Sequence, residues 1–250
     1  MPVINTIDKV IEALDDIIKQ SADNNDTAGY FAALYRRVTN RVRLGIINNE
    51  FEDGARMEQL DVLFANRYLD AHFAWKQNQP VSASWKKAFD ITTNYWPIVL
   101  QHLLMGMNAH INLDLGVAAA EISAGKNINE LQNDFNKINT ILSSLVAEVQ
   151  EGLAKIWPRL KWILQRTKKV DGFMVDFSMQ LARDGAWKFA LSLADGGEPN
   201  FKTMIAGRDV IIAGKSKIIT HDGFLVSVIL GIIRLGEGGS VKQKIEMLKA

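Results

Sequence analysis

Residues 101–115 constrain the fold more than any other part of the chain. They read QHLLMGMNAHINLDL, so two histidines, two asparagines and an aspartate stand among leucines, methionines and an isoleucine. A helix that is apolar nearly all round is usually buried. Because buried polar side chains destabilise a protein unless they find partners, we expect a central helix whose polar groups point into the protein.

The polar residues of this helix fall on two sides. One side carries the residues that recur at every fourth position, which are His102, Gly106, His110 and Asp114. Asn108 and Asn112 project from roughly the opposite side. Gly106 weakens the helix by about 1 kcal/mol relative to alanine and leaves room for another group to approach its backbone.

The overall composition excludes several classes of protein. The 250 residues include 29 Lys and Arg against 28 Asp and Glu, and a net charge of +1 gives no strong field to attract nucleic acid or an anionic membrane. Cysteine is absent, which rules out disulfides and thiolate metal ligands. The first residues lack the basic and apolar regions of a secretory signal, so we expect a cytoplasmic protein.

Apolar residues at helical spacing predict an all-α fold. Helices are expected over about residues 4–21, 27–49, 57–75, 97–120, 129–153, 173–193 and 201–212, with shorter helices between and after them. The apolar run at 224–233 is too short for a membrane span and is typical of a core helix. We therefore predict that residues 1–250 form a single-domain bundle of about ten helices around a buried central helix at about 97–120.

The helix expected at 57–75 carries polar groups among apolar residues. Asp61 and Tyr68 share one side with apolar neighbours, which favours their burial. Glu58 and His72 lie nearer the helix ends, and we expect them to be exposed.

The helix expected at 129–153 shows a similar anomaly. Asp134 lies in the middle of its apolar stripe. Lys137, at the edge of the same stripe, is a natural partner for this aspartate.

The catalytic motifs that we tested do not fit the sequence. Residues 213–216 read AGKS, but the position that needs the first glycine of a P-loop is Asp209. The sequence has no HExxH motif and no Glu-x-x-His pair of the kind that builds di-iron sites. It also lacks the GxSxG motif of α/β-hydrolases.

His110 and Asp114 are the leading candidates for a functional site. Because they are four residues apart on one helix, both can reach the same ion or substrate, and Asp61 could add a carboxylate from another helix. Together the three residues suit a divalent metal such as Zn, Mn or Fe(II). Without a metal they suit acid–base chemistry, in which the carboxylates orient His110 and its imidazole moves a proton.

Five further polar residues are expected to support this site and contact a small-molecule substrate: Tyr68, His102, Asn108, Asn112 and Asp134. Tyr68 would donate a hydrogen bond to the substrate. The sequence does not identify that substrate or the reaction.

A second interpretation stays open, in which the polar network has no chemical role. His110 would then bond one of the acids, the two asparagines would bond Asp134 or backbone, and the network would only fix the register of the helices. The chain would be a non-catalytic helical protein that binds an apolar ligand or a protein partner, with Met105 and Met107 as adaptable lining.

Four parts of the chain carry a family resemblance: DVLFANRYLD at 61–70, QHLLMGMNAHINLD at 101–114, DFNKIN at 134–139, and Phe177-Ser with Ala182-Arg and Ala186-Trp187. They resemble an uncharacterised family that is catalogued as domain of unknown function 5995 and occurs in bacteria and fungi. The resemblance covers about residues 30–193 and is less clear in the C-terminal third. It implies a helical single domain and no agreed chemistry.

Overall fold

The computed structural model describes residues 4–138, 141, 179–220 and 223–249. Within these residues every regular element is a helix, which confirms the all-α fold. None of the helices in this part of the chain is long and apolar enough to cross a bilayer.

In the described residues the α-helices are, in chain order, α1 (Ile7–Asp23), α2 (Gly29–Ile47), α3 (Gly54–Lys76), α4 (Ala83–Asp90), α5 (Val99–Ala109), α6 (Leu115–Ile122), α7 (from 132, described to 138), α8 (Met179–Gly196), α9 (Glu198–Thr220), α10 (Gly223–Gly236) and α11 (Val241–Lys249). A π-helical turn, His110–Asp114, joins α5 to α6. Residues Val99–Ile122 are therefore one continuous helix, which we call the central helix.

The central helix is buried, as its sequence predicts. All residues from Val99 to Ala120 are buried except Met107, which is half-buried. Helices α2, α4 and α9 pack against its first half, and α3 and α8 pack against its second half. The polar side chains of this helix therefore face protein rather than water.

Side-chain amides of the central helix bind the backbone of α9. Gln101 donates to the carbonyl of Ile219 at 2.9 Å, and Asn108 donates to the carbonyl of Ile212 at 3.0 Å. Both donors and both acceptors are seven residues apart, so the two helices run antiparallel in a fixed register. The sequence placed the end of this helix near Ile212, but α9 continues to Thr220. The prediction was wrong because the contact that holds the last part of α9, between Gln101 and Ile219, joins residues that are 118 apart in the sequence.

Two glycines let neighbouring groups approach the central helix closely. A Cβ on Gly106 would lie 2.3 Å from Cδ2 of Phe31, and a Cβ on Gly116 would lie 2.8 Å from the carbonyl oxygen of Ala186 in α8. Neither distance allows a side chain. The room that we expected beside Gly106 is thus filled by the Phe31 ring.

Two exposure predictions for α3 were wrong. His72 is buried because Phe73 and Phe89 pack edge-on against its ring, at centroid distances of 5.6 and 6.0 Å. Glu58 is half-buried because it accepts the backbone N–H of Ile7 at 3.2 Å.

The central helix begins two residues later than expected. Ile98 has an extended backbone and forms the N-cap, so the first helical residue is Val99. The side chain of Gln101 accepts the backbone N–H of Ile98 at 3.1 Å, which satisfies a group that the helix itself cannot bond. The predicted helix end near 153 and the start near 173 lie outside the described residues.

Candidate functional site

A π-helical turn shapes the predicted site. The N–H of Leu115 bonds to the carbonyl of His110, five residues earlier, so the helix is wider here than an α-helix. Single π turns inside α-helices are frequent at functional sites. This turn brings Nδ1 of His110 to 3.1 Å from Oδ2 of Asp114, so the predicted contact between these two residues is present.

Two further donors from other helices hold the Asp114 carboxylate. Arg67 of α3 donates from Nε to Oδ1 at 2.8 Å, and Trp85 of α4 donates from Nε1 to Oδ2 at 2.8 Å. Asp114 is 1% exposed, whereas the Arg67 side chain is 27% exposed. Charge-assisted bonds of this kind offset the cost of burying a carboxylate, so the three donors hold the Asp114 side chain in one position inside the bundle.

Asp114 determines which nitrogen of His110 carries a proton. A carboxylate can only accept, so Nδ1 of His110 is the protonated nitrogen of the neutral ring and Nε2 has the free lone pair. Burial lowers the pKa of His110, and the bond to Asp114 partly opposes this effect. The ring is therefore neutral near pH 7. Its Nε2 atom is buried and has no hydrogen-bond partner among the described residues.

Aromatic rings surround the imidazole of His110. Phe64 stacks on it, with centroids 3.6 Å apart and an angle of 7° between the planes, and Tyr35 meets it edge-on at 4.6 Å. Three more rings lie at centroid distances of 5.8 to 6.1 Å, those of Trp85, Phe31 and Tyr68. This apolar enclosure is the physical cause of the lowered pKa.

Asp61 is also buried, but it does not bond to His110. Burial, with a smaller contribution from the nearby charge of Glu58, raises the pKa of Asp61 to about 8. Its Oδ2 atom has no hydrogen-bond partner among the described residues. The charge of Asp61 helps to raise the pKa of Tyr35, whose ring contacts His110. Asp61 therefore lies near the site without taking the place predicted for it beside His110 and Asp114.

The raised pKa of Asp61 predicts a pH-dependent stability. Because the folded-state pKa exceeds the ordinary value of 3.8 for an aspartate, the folded protein keeps a proton that the unfolded chain releases between pH 4 and pH 8. Stability should therefore fall with rising pH across this window, by up to about 1.4 kcal/mol per pH unit. Asp61→Asn lacks this titration. We therefore expect its free energy of unfolding, measured with urea, to rise relative to that of the wild type from pH 5 to pH 8.

The matched control for this prediction is Asp23→Asn, at an exposed position on α1. Its effect on the free energy of unfolding should be small and should not change with pH across the same range. A constant difference between Asp61→Asn and the wild type from pH 5 to pH 8 would contradict the raised pKa.

Tyr68 and His102 are buried beside the same group of rings. The hydroxyl of Tyr68 and Nδ1 of His102 have no hydrogen-bond partner within the described part of the chain. Burial raises the pKa of Tyr68 and lowers the pKa of His102 to about 3. Both side chains are therefore neutral at physiological pH.

The asparagines on the other side of the central helix bind protein groups. Asn112 donates to Oδ1 of Asn108 at 3.2 Å, while Asn108 itself donates to α9. The backbone carbonyl of Asn112 accepts from Nε of Arg208 at 3.1 Å. These contacts fix α9 against the central helix, and the asparagine side chains bond each other and the α9 backbone.

The Asp134 carboxylate binds backbone groups of the connection between α2 and α3. It accepts the N–H groups of Glu52 and Asp53, at 2.7 and 3.0 Å, and lies 3.5 Å from Nη2 of Arg56. Arg56 thus takes the role that the sequence suggested for Lys137. These bonds attach the connection between α2 and α3 to α7.

The described residues contain no group of three or more His, Asp or Glu side chains that could hold a metal ion. The geometry around Asp114 agrees, because both of its oxygens already accept hydrogen bonds from Arg67, Trp85 and His110. The acid–base version of the predicted site therefore fits these residues better than the metal version.

Four residues of the site were missed in the sequence: Tyr35, Phe64, Arg67 and Trp85. Arg67 and Trp85 are separated from Asp114 by 47 and 29 residues, and no helical spacing relates them to it. The available signal was weak. Ser82 caps the short helix α4, which contains Trp85 and could bury only one of its faces.

The fold and the site together define an all-α bundle with a buried imidazole–carboxylate pair at a π turn of its central helix. The model of a family of unknown function, DUF5995, matches residues 7–222, and the chain belongs to this family. The match includes Arg67, Trp85, His110 and Asp114, whereas α10 and α11 lie beyond it. No curated protein and no solved structure matches the chain.

Proposed function

We propose that the protein is an enzyme that transforms a small molecule by proton transfer at His110. Nε2 of His110 is the general base, and Asp114 orients the imidazole and stabilises the imidazolium that forms when the proton arrives. Arg67 and Trp85 keep the carboxylate in place.

The observation that carries this proposal is the contrast between the two nitrogens of His110. Nδ1 is held by a carboxylate that is itself fixed by two donors, whereas the buried Nε2 has no partner in the described residues. Most buried polar side-chain atoms in proteins have a hydrogen-bond partner, so an unpaired Nε2 next to a carboxylate-bound Nδ1 needs an explanation. An oriented, neutral imidazole with a free lone pair is instead the form that a general base requires.

Asp61 supplies the complementary acid in this proposal. With a pKa of about 8 it is protonated at neutral pH, while the lowered pKa of His110 keeps the imidazole unprotonated. Titratable groups whose pKa values are displaced in opposite directions are typical of acid–base pairs. Tyr35 contacts the His110 ring, and the charge of Asp61 acts on its hydroxyl, so Tyr35 is near both groups of the proposed pair.

We infer that the substrate approaches from the side of Phe31, Tyr68 and Trp85, although His110 itself does not line the cavity there. These three rings border His110 and also line a small cavity next to the half-buried residues Thr27 and Thr92. Because the surrounding groups are neutral and mostly aromatic, a small uncharged substrate fits this environment best.

A non-catalytic helical protein is the alternative. The bonds of Asn108, Asn112 and Asp134 to other protein groups support a structural role for that part of the network. They do not extend to Nε2 of His110 or to Oδ2 of Asp61.

The test uses a protein-free extract of small metabolites. Wild-type protein and His110→Gln are incubated with the extract, and mass spectrometry follows which compounds are consumed. We expect the wild type to convert at least one compound over many turnovers, and His110→Gln to be slower by about 10²–10⁴-fold, the usual contribution of a general base.

Asp23→Asn serves as the matched control and should convert the same compound at the wild-type rate. The melting temperature of each variant shows whether it is folded. A compound consumed equally fast by folded His110→Gln, or no turnover by the wild type, would overturn the proposal.

A further inference from the structure

A small cavity lies beside the aromatic rings of the site. Its volume is about 10 Å³, and it is lined by side chains that include Thr27, Phe31, Tyr68, Trp85, Thr92 and His102. A space of this size holds about one water molecule. Most of its wall is aromatic or aliphatic, so the few polar atoms in it determine what can bind.

Two polar side chains of the cavity wall have unsatisfied atoms. Tyr68 is 1% exposed and His102 is 5% exposed. The Tyr68 hydroxyl and Nδ1 of His102 are both buried without a hydrogen-bond partner among the described residues. Leaving two such groups unpaired destabilises the fold, so a ligand that bonds to both would stabilise the protein.

The chemistry of these atoms indicates the class of ligand. A phenol can donate or accept, and Nδ1 of a neutral imidazole donates in one tautomer and accepts in the other. A hydroxyl group also does both, so it can satisfy the pair in either arrangement. A charged ligand is unsuitable because neither Tyr68 nor His102 carries a charge to pair with it.

We propose that this cavity is a binding site for a single hydroxyl group, held between Tyr68 Oη and His102 Nδ1. The ligand is a water molecule or the hydroxyl end of a very small neutral alcohol. The cavity shares the rings of Phe31, Tyr68 and Trp85 with the surroundings of His110, but His110 does not line it, and the proposal does not depend on a reaction at His110.

The first experiment uses the wild-type protein in solution. Proton NMR measures rotating-frame Overhauser effects between bound water and the ring protons of Tyr68 and His102. Methanol is then added as a second probe. Cross-peaks to water that methanol leaves unchanged identify water as the ligand, and cross-peaks that methanol replaces identify a site that also accepts an alcohol.

Both of these outcomes support the proposal. A folded wild-type protein that shows neither water nor methanol at Tyr68 and His102 would overturn it. This measurement needs no substitution, so a variant that fails to fold cannot obscure the result.

The second experiment compares three variants. Tyr68→Phe and His102→Phe each remove one of the two polar atoms and should abolish the cross-peaks. Tyr30→Phe is the matched control, because Tyr30 is buried and meets the His102 ring at 5.5 Å but does not line the cavity. Its cross-peaks should equal those of the wild type. Unchanged cross-peaks in folded Tyr68→Phe and His102→Phe would contradict the assignment of the two atoms.

Discussion

Replacing Asp114 with alanine should lower the free energy of unfolding by about 2–6 kcal/mol, because it leaves two buried donors without an acceptor at a cost of about 1–3 kcal/mol each. The substitution would leave the Arg67 guanidinium, the indole N–H of Trp85 and Nδ1–H of His110 without their acceptor. The indole and the imidazole are buried, so water would not readily replace the carboxylate. Urea unfolding near pH 7 measures the change.

The control for this prediction is Asp90→Ala, which removes a pair with Lys86 at 2.8 Å. The two side chains of that pair are 63% and 41% exposed. Exposed pairs four residues apart contribute about 0.3–0.5 kcal/mol, so the two substitutions should differ by severalfold. An effect of Asp114→Ala no larger than that of Asp90→Ala would show that the three contacts do not stabilise the fold.

Asp114→Asn separates stability from chemistry. The amide has nearly the volume of the carboxylate, and should cost less stability than alanine. It can donate as well as accept, however, so it no longer fixes the proton of His110 on Nδ1. If His110 is the base that we propose, the reaction should therefore slow much more than the loss of stability alone would suggest.

The second large effect is expected from Gly106→Ala. Alanine normally strengthens a helix by about 1 kcal/mol relative to glycine. At position 106, however, the added Cβ would lie 2.3 Å from Cδ2 and 2.5 Å from Cγ of Phe31, so the ring must move. Overpacking of this kind costs about 1–3 kcal/mol, and we expect a net destabilisation. Phe31 also borders His110, so the His110 resonances should shift.

Gly207→Ala provides the matched control for this substitution. Gly207 is an exposed helical residue of α9, and a Cβ there would meet nothing within 4 Å. Alanine should therefore stabilise the protein by up to about 1 kcal/mol. Opposite signs for the two glycines are the expected result. Equal stabilisation by both substitutions would show that Phe31 adapts to the methyl group without cost.

Helical spacing was sufficient to predict the central helix and the direction of its polar groups. The apolar residues at 101–115 required burial, and the interval of four residues placed His110 next to Asp114. The opposite placement of Asn108 and Asn112 followed from the same period. These are local properties of one helix, so the amino-acid sequence alone is enough to predict them.

The partners on other helices could not be predicted in this way. Arg67 and Trp85 reach Asp114 through tertiary packing, and spacing along the chain says nothing about which helices become neighbours. Asp61 was expected beside His110 because both are polar residues on apolar faces. That argument establishes burial, but it does not establish that two buried groups share a bond.

The π turn also relates the two halves of the central helix to each other. It contains one more residue than an α-helical turn, so everything after Asp114 is rotated by about 100° relative to an uninterrupted α-helix. Gly106 faces Phe31 in the first half, and Gly116 faces the Ala186 backbone in the second. If the same residues relaxed to a regular α-helix, Gly116 would turn away from α8 by about 100° and a bulkier neighbour would face that backbone. The π geometry of this turn is therefore under a steric constraint that is independent of any chemistry at His110.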